Sequence, residues 1–118
     1  MKLPNSIRAY VPLNKLADYL LSATHPVGKA KAVVLQRYGF HSGNIAELEM
    51  GLLTIARTGN VSSSVTSTFG TKYVIDGVLP TPDKRALSIR TVWIVEHEQD
   101  RPRFVTAYPR LSDIGDSS

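Results

Sequence analysis

The sequence predicts an α+β fold, with about three N-terminal helices packed on a four-stranded antiparallel β-meander. Three observations lead there. Apolar residues recur at helical spacing as far as Ala56, the period drops to two from Asn60 onward, and the links between the later apolar runs are short enough to make neighbouring strands antiparallel. The chain has 118 residues, of which 42% are apolar and 20% charged, enough to bury one core. A single domain is therefore expected over 1–110, followed by a polar, glycine-containing and flexible tail over 111–118.

Each element has its own signal. Asn14 can cap a short helix from Lys15 to about Ser22, on which Leu16, Tyr19 and Leu20 form a buried stripe. Pro26 suits the first turn of a second helix, whose apolar face of Ala30, Val33, Val34 and Tyr38 runs to a stop at Gly39. Asn44 and Glu47 have the spacing of a capping box for a third helix carrying Ile45, Leu48, Leu52 and Ala56, with Gly59 after its end. Strands follow near Val61 to Thr68, Thr71 to Leu79, Arg85 to His97 and Arg103 to Tyr108, in β-branched and aromatic sequence. Phe69-Gly70 supports a tight turn, Pro80 to Asp83 a wider loop, and Gln99-Asp100 with Pro102 a hairpin end.

Composition removes several function classes. No window approaches the roughly 18 consecutive apolar residues of a membrane span, and Met1-Lys2-Leu3-Pro4-Asn5 lacks the charged-then-apolar run of a secretory signal, so a soluble, cytoplasmic chain is expected. The absence of cysteine excludes a disulfide framework, a thiolate zinc site and a cysteine nucleophile. His25, His41 and His97 lack ligand spacing, and no metal is expected. There is no phosphate-binding glycine loop and no serine in a nucleophile elbow. The formal charge of +4 and sequence pI of about 9.6 attract polyanions weakly. Its basic end lies between His25 and Arg37, a segment without a carboxylate.

The strand Ala86 to Val95 places Leu87, Ile89, Thr91, Trp93 and Val95 on one face and Ser88, Arg90, Val92 and Ile94 on the other. In the last strand Phe104, Thr106 and Tyr108 are expected to share a face. Hydroxyls, a guanidinium and aromatic rings on one sheet suit phosphate, ribose and base contacts. The plainer reading makes Trp93 and Tyr108 core aromatics with a polar tip. Tyr73, on the opposite face from Lys72, could join a site or only the core. His25, Lys29 and Lys31 gather at the entrance of the second helix, where backbone N–H groups favour an anion and an imidazole with a free pKa of about 6.5 could move a proton. The rival account has His25 cap the helix or stack under a loop.

The motifs His25-Pro26-x-Gly28-x-x-Lys31-Ala32, Gly70-x-Lys72-Tyr73, Thr91-Val92-Trp93-Ile94 and Pro102-Arg103-x-Val105-Thr106-Ala107-Tyr108-Pro109 together resemble an uncharacterised bacterial domain family, found both as small free-standing proteins and as C-terminal toxin-like modules. The closing Thr-Ala-Tyr-Pro is remotely similar to the last strand of the barnase, EndoU, colicin and RelE-like ribonucleases. That resemblance implies a small metal-independent ribonuclease of toxin type, with no cofactor, acting on RNA and neutralised by a cognate antitoxin or immunity protein. The catalytic set it implies is His25, Thr106 and Tyr108, with Arg90 added on strand geometry. Of the expected substrate-binding set, Lys31 comes from the same resemblance, Thr91 from strand geometry, and Lys29, Tyr73 and Trp93 from the residues alone. The residues alone leave two alternatives open, a non-catalytic RNA- or protein-binding module and a passive scaffold. They also leave monomer and homodimer open.

Overall fold

A computed structural model describes residues 1–17 and 33–110 and bears out the α+β class. Strands β1 (Val61–Ser67), β2 (Gly70–Pro80), β3 (Ala86–Glu96) and β4 (Arg103–Pro109) form one antiparallel sheet in the order β1-β2-β3-β4. Boundaries agree with the expected ones to within about one residue, because alternating β-branched sequence fixes a strand strongly. Ser67 pairs with Gly70 across the turn at Thr68-Phe69. Gly70 sits at φ +147°, and a Cβ there would stand 2.3 Å from the Val95 carbonyl oxygen, so the turn requires glycine.

One feature of the register overturns an expectation. Val92 pairs with Thr106 but Trp93 pairs with Phe104, so Val105 is an extra residue in β4. This bulge turns the strand over. Phe104 and Ala107 lie on the core face, whereas Thr106 and Tyr108 lie on the other, and the expected single row of Phe104, Thr106 and Tyr108 does not exist.

The core lies between one face of the sheet and a long helix, Ile45–Thr58, which rests chiefly on β2 and β3. Leu48, Leu52 and Ala56 are buried as the spacing predicts, Ile55 joins them, and Ile45 is only partly buried. Gly51 lets the helix approach closely, since a Cβ on it would meet Leu79 at 2.3 Å. The expected cap is displaced. Asn44 makes no side-chain cap to the long helix; it closes a reciprocal box one turn earlier, accepting from the His41 N–H at 2.8 Å while His41 Nδ1 accepts from the Gly43 N–H at 3.0 Å.

Most of the first two expected helices lies outside the described residues, as does the tail over 111–118. Among the described residues one long helix stands instead of three, accompanied by a helical turn at Leu13–Lys15 and helical residues at 33–37. Asn14 falls inside its turn and does not precede it. Of the second helix's expected face, Val33 is exposed and Val34 and Tyr38 are partly buried, while Leu35, outside that expected face, lies in the core. Gly39 does end that helix, at φ +98°: its N–H donates to Gln36 O and that of Phe40 to Leu35 O, with Phe40 and Leu35 both in the core. The N-terminal segment lies along β4, where Tyr10 donates to Pro102 O and accepts from the Phe104 N–H, both at 3.0 Å.

Candidate functional site

Strand alternation gives the sheet a second face, turned away from the long helix. Across its middle, Asp76, Arg90 and Tyr108 stand side by side on β2, β3 and β4. Arg90 Nε donates to Asp76 Oδ1 at 2.7 Å and its Nη2 to Oδ2 at 3.0 Å, while Arg110 Nη1 donates to Oδ2 at 3.2 Å. The next row holds Val74, Val92 and Thr106, and the one beyond it Lys72, Ile94 and Arg103. Ile94 is buried yet stands apart from the main core cluster, consistent with its place on this opposite face.

The electrostatics follow from the ion pairs. The Arg90 hydrogen bonds hold the Asp76 carboxyl below its ordinary range against the opposing effect of burial, with the charges of Arg90 and Arg110 adding to the depression. The same pair raises the Arg90 guanidinium further above neutrality. Asp76 occupies one edge of the Arg90 fork. A guanidinium has five N–H donors in a fixed plane, so this grip orients the group while the rest of it remains available to an anion. Tyr108 is 45% exposed beside it, and Thr106 is nearly buried one row away.

The expected site residues divide three ways. Arg90, Thr106 and Tyr108 come together on the outer face. Thr91, Trp93 and Tyr73 do not join them, because they belong to the core face. Thr91 and Trp93 have no accessible surface: Trp93 Nε1 donates to Thr91 Oγ1 at 2.9 Å, Thr91 Oγ1 donates to Ile75 O at 2.8 Å, and the indole meets Phe104 edge-on at 5.4 Å. Neither presents a surface to substrate. Tyr73 pairs with Trp93 and is partly buried against the core. His25, Lys29 and Lys31 lie outside the described residues.

Sequence reasoning missed Asp76, Arg110, Lys72 and Arg103. The signal was present in the register: once the loop over 81–85 sets Pro80 opposite Ala86, Asp76 must lie beside Arg90. Of the other histidines, His41 serves as a cap, and His97 is exposed with Nε2 3.0 Å from Ser67 O.

The described geometry is thus that of a small α+β domain with a helix-covered sheet face and a second face bearing paired and unpaired cations. The chain belongs to the family described as Domain of unknown function (DUF6883), whose model matches residues 2–111. No curated protein matches it. Among solved structures, it is similar to a chain of the contact-dependent growth inhibition toxin–immunity protein complex from Klebsiella pneumoniae 342. The TM-score is 0.72 at 17% identity, covering 88% of this chain and 95% of the other, a likeness of fold over nearly the whole of both.

Proposed function

We propose that this domain is a small toxin-type ribonuclease that receives RNA on the outer face of its sheet and is neutralised by a cognate immunity protein. The observation that carries the reading is the convergence of Arg90, Tyr108 and Thr106 on that face, beside Arg110. The whole-chain likeness to a member of a toxin–immunity complex supports the biological setting. In the proposed reaction a ribose 2′-oxygen attacks the adjacent phosphorus, the bond from phosphorus to the 5′-oxygen breaks, and a 2′,3′-cyclic phosphate and a 5′-hydroxyl result. Arg90, oriented by Asp76, stabilises the charge that gathers on the non-bridging oxygens. Tyr108 and Thr106 orient the phosphate, and Tyr108 is the candidate donor of a proton to the leaving 5′-oxygen. His25 is the candidate acceptor of the 2′-hydroxyl proton, and Lys29 and Lys31 are candidate phosphate contacts. No step draws on a metal or cofactor.

The immunity protein fits as an acidic surface laid over the same cations. Expression with and without such a partner tests the reading. The chain alone should arrest growth and shorten cellular RNA, Arg90→Ala should relieve both, and the partner should restore growth. Unimpaired growth with intact RNA at confirmed expression would defeat it.

A further inference from the structure

The outer face has a concave place at the end of the sheet away from Arg110. A hollow of about 300 Å³ is lined by Phe69, Lys72, Ile94, Glu96, Arg103 and Val105, together with Ser67. Its parts are chemically distinct. Ile94 is 5% exposed and forms an apolar floor, and Phe69 at the hairpin tip leaves 76% of its surface in solvent, a large value for a phenyl group. Lys72 is exposed and makes no hydrogen bond or ion pair among the described residues. Arg103 is held by Glu96, its Nε donating to Oε1 at 3.1 Å, and so keeps part of its fork in reserve.

We infer that this hollow is a subsite for an unpaired nucleotide of a single-stranded nucleic acid, with the base stacked on Phe69 and its phosphate held by Lys72 and Arg103. Stacking on an exposed ring beside cations is how single strands are held without reading their sequence. Continuity with the Arg90 row supports the assignment. Lys72 and Ile94 lie four residues along β2 and β3 from Asp76 and Arg90, roughly 13 Å at the rise of a strand, a span that a short single-stranded segment covers. Cations outnumber carboxylates along that track. The inference rests on the proposed RNA-directed function but concerns where the strand lies, so binding can be tested apart from cleavage.

The probe is a fluorescein-labelled 2′-O-methyl oligonucleotide of mixed sequence, which lacks the attacking hydroxyl and cannot be cut by the proposed reaction. Anisotropy titration should show binding that weakens about tenfold in Phe69→Ala and is preserved in Phe69→Trp. In Lys72→Ala it should weaken with a salt dependence shallower by about one ion. Both side chains are exposed, so unchanged melting temperatures should accompany the losses. Binding by the variants equal to that of the wild type, or no binding by the wild type, overturns the subsite. The two readings fail separately. Phe69-dependent binding without cleavage of unmodified RNA keeps the subsite and removes the nuclease, whereas RNA cut equally well by wild type and Phe69→Ala keeps the nuclease and removes the subsite.

Discussion

Thr91 is a hydroxyl whose both functions are used inside the sheet, as acceptor for the Trp93 indole and donor to the Ile75 carbonyl. Its role is to let a tryptophan be buried without leaving an unsatisfied N–H. Thr91→Val conserves shape but strands that donor, and the cost expected is about 2 kcal/mol. Thermal unfolding should show the loss while Thr91→Ser stays near wild type; a valine variant as stable as wild type would contradict the assigned role. Arg90 is the opposite case. Its guanidinium is half-exposed, and Asp76 keeps Arg110 as a partner when Arg90 is lost, so removing it leaves no unpaired buried charge. Arg90→Ala should therefore melt close to wild type, so that any lost activity reports on the outer face and not on folding. A large drop in its melting temperature would make Arg90 structural. These two neighbours in sequence have different fates because strand alternation sends one into hydrocarbon and the other into water.

At the scale of elements, turns and loops decide what the strands can do. Gly70 places β2 against Val95 at a backbone geometry closed to other residues, and Gly70→Ala should destabilise by about 2 kcal/mol or more. Urea unfolding should lower the midpoint and leave the slope unchanged; an unaltered midpoint would mean that the hairpin can re-form otherwise. In the loop after β2, Asp83 accepts from Arg85 Nε and Thr81 Oγ1, both at 2.7 Å, and Arg85 Nη2 donates to Arg37 O at 2.8 Å while its guanidinium stacks on Tyr38. The Arg85 and Thr81 hydrogen bonds bring the Asp83 carboxyl from its ordinary 3.8 to about 2. Between those values the unfolded chain binds more protons, so stability rises with pH across that window. Asp83→Asn should accordingly be less stable than wild type at neutral pH, with the difference disappearing as the pH falls from about 4 to about 2. A constant difference would assign the loop's effect to packing. The strands were legible in sequence because Val, Ile, Thr and Tyr alternate through them. The bulge at Val105 was not, since β4 carries no glycine or proline at that point and only pairing with β3 reveals the extra residue. The shift of the capping box to His41 and Asn44 was hidden for a related reason: the expected pattern of Asn44 and Glu47 competes with an equally spaced one beginning at a histidine.

For the whole molecule, the sheet separates two jobs. One face is closed by the long helix and holds Trp93, Phe104 and Thr91, while the other carries Arg90, Tyr108, Lys72 and Arg103. Thr106 and Tyr108 were singled out by the resemblance of their motif and Arg90 by its place mid-strand, and the three share the outer face although the bulge removes Phe104 from their row. Sequence alone misassigned Trp93 and Thr91, because an aromatic beside a hydroxyl looks the same in sequence whether it faces a ligand or a core. The partner of Arg90 became visible only across strands, where Asp76 lies 14 residues away in sequence and accepts from both Arg90 and Arg110. The central proposal is RNA cleavage by 2′-hydroxyl attack on the outer face. Its most direct measurement is the end chemistry of RNA incubated with the purified chain in EDTA, followed for wild type, Arg90→Ala and Tyr108→Phe. The account predicts fragments ending in 2′,3′-cyclic phosphate and 5′-hydroxyl, formed at least about 100-fold more slowly by Arg90→Ala. RNA left intact by the folded wild-type chain, or cut as fast by Arg90→Ala, would contradict it.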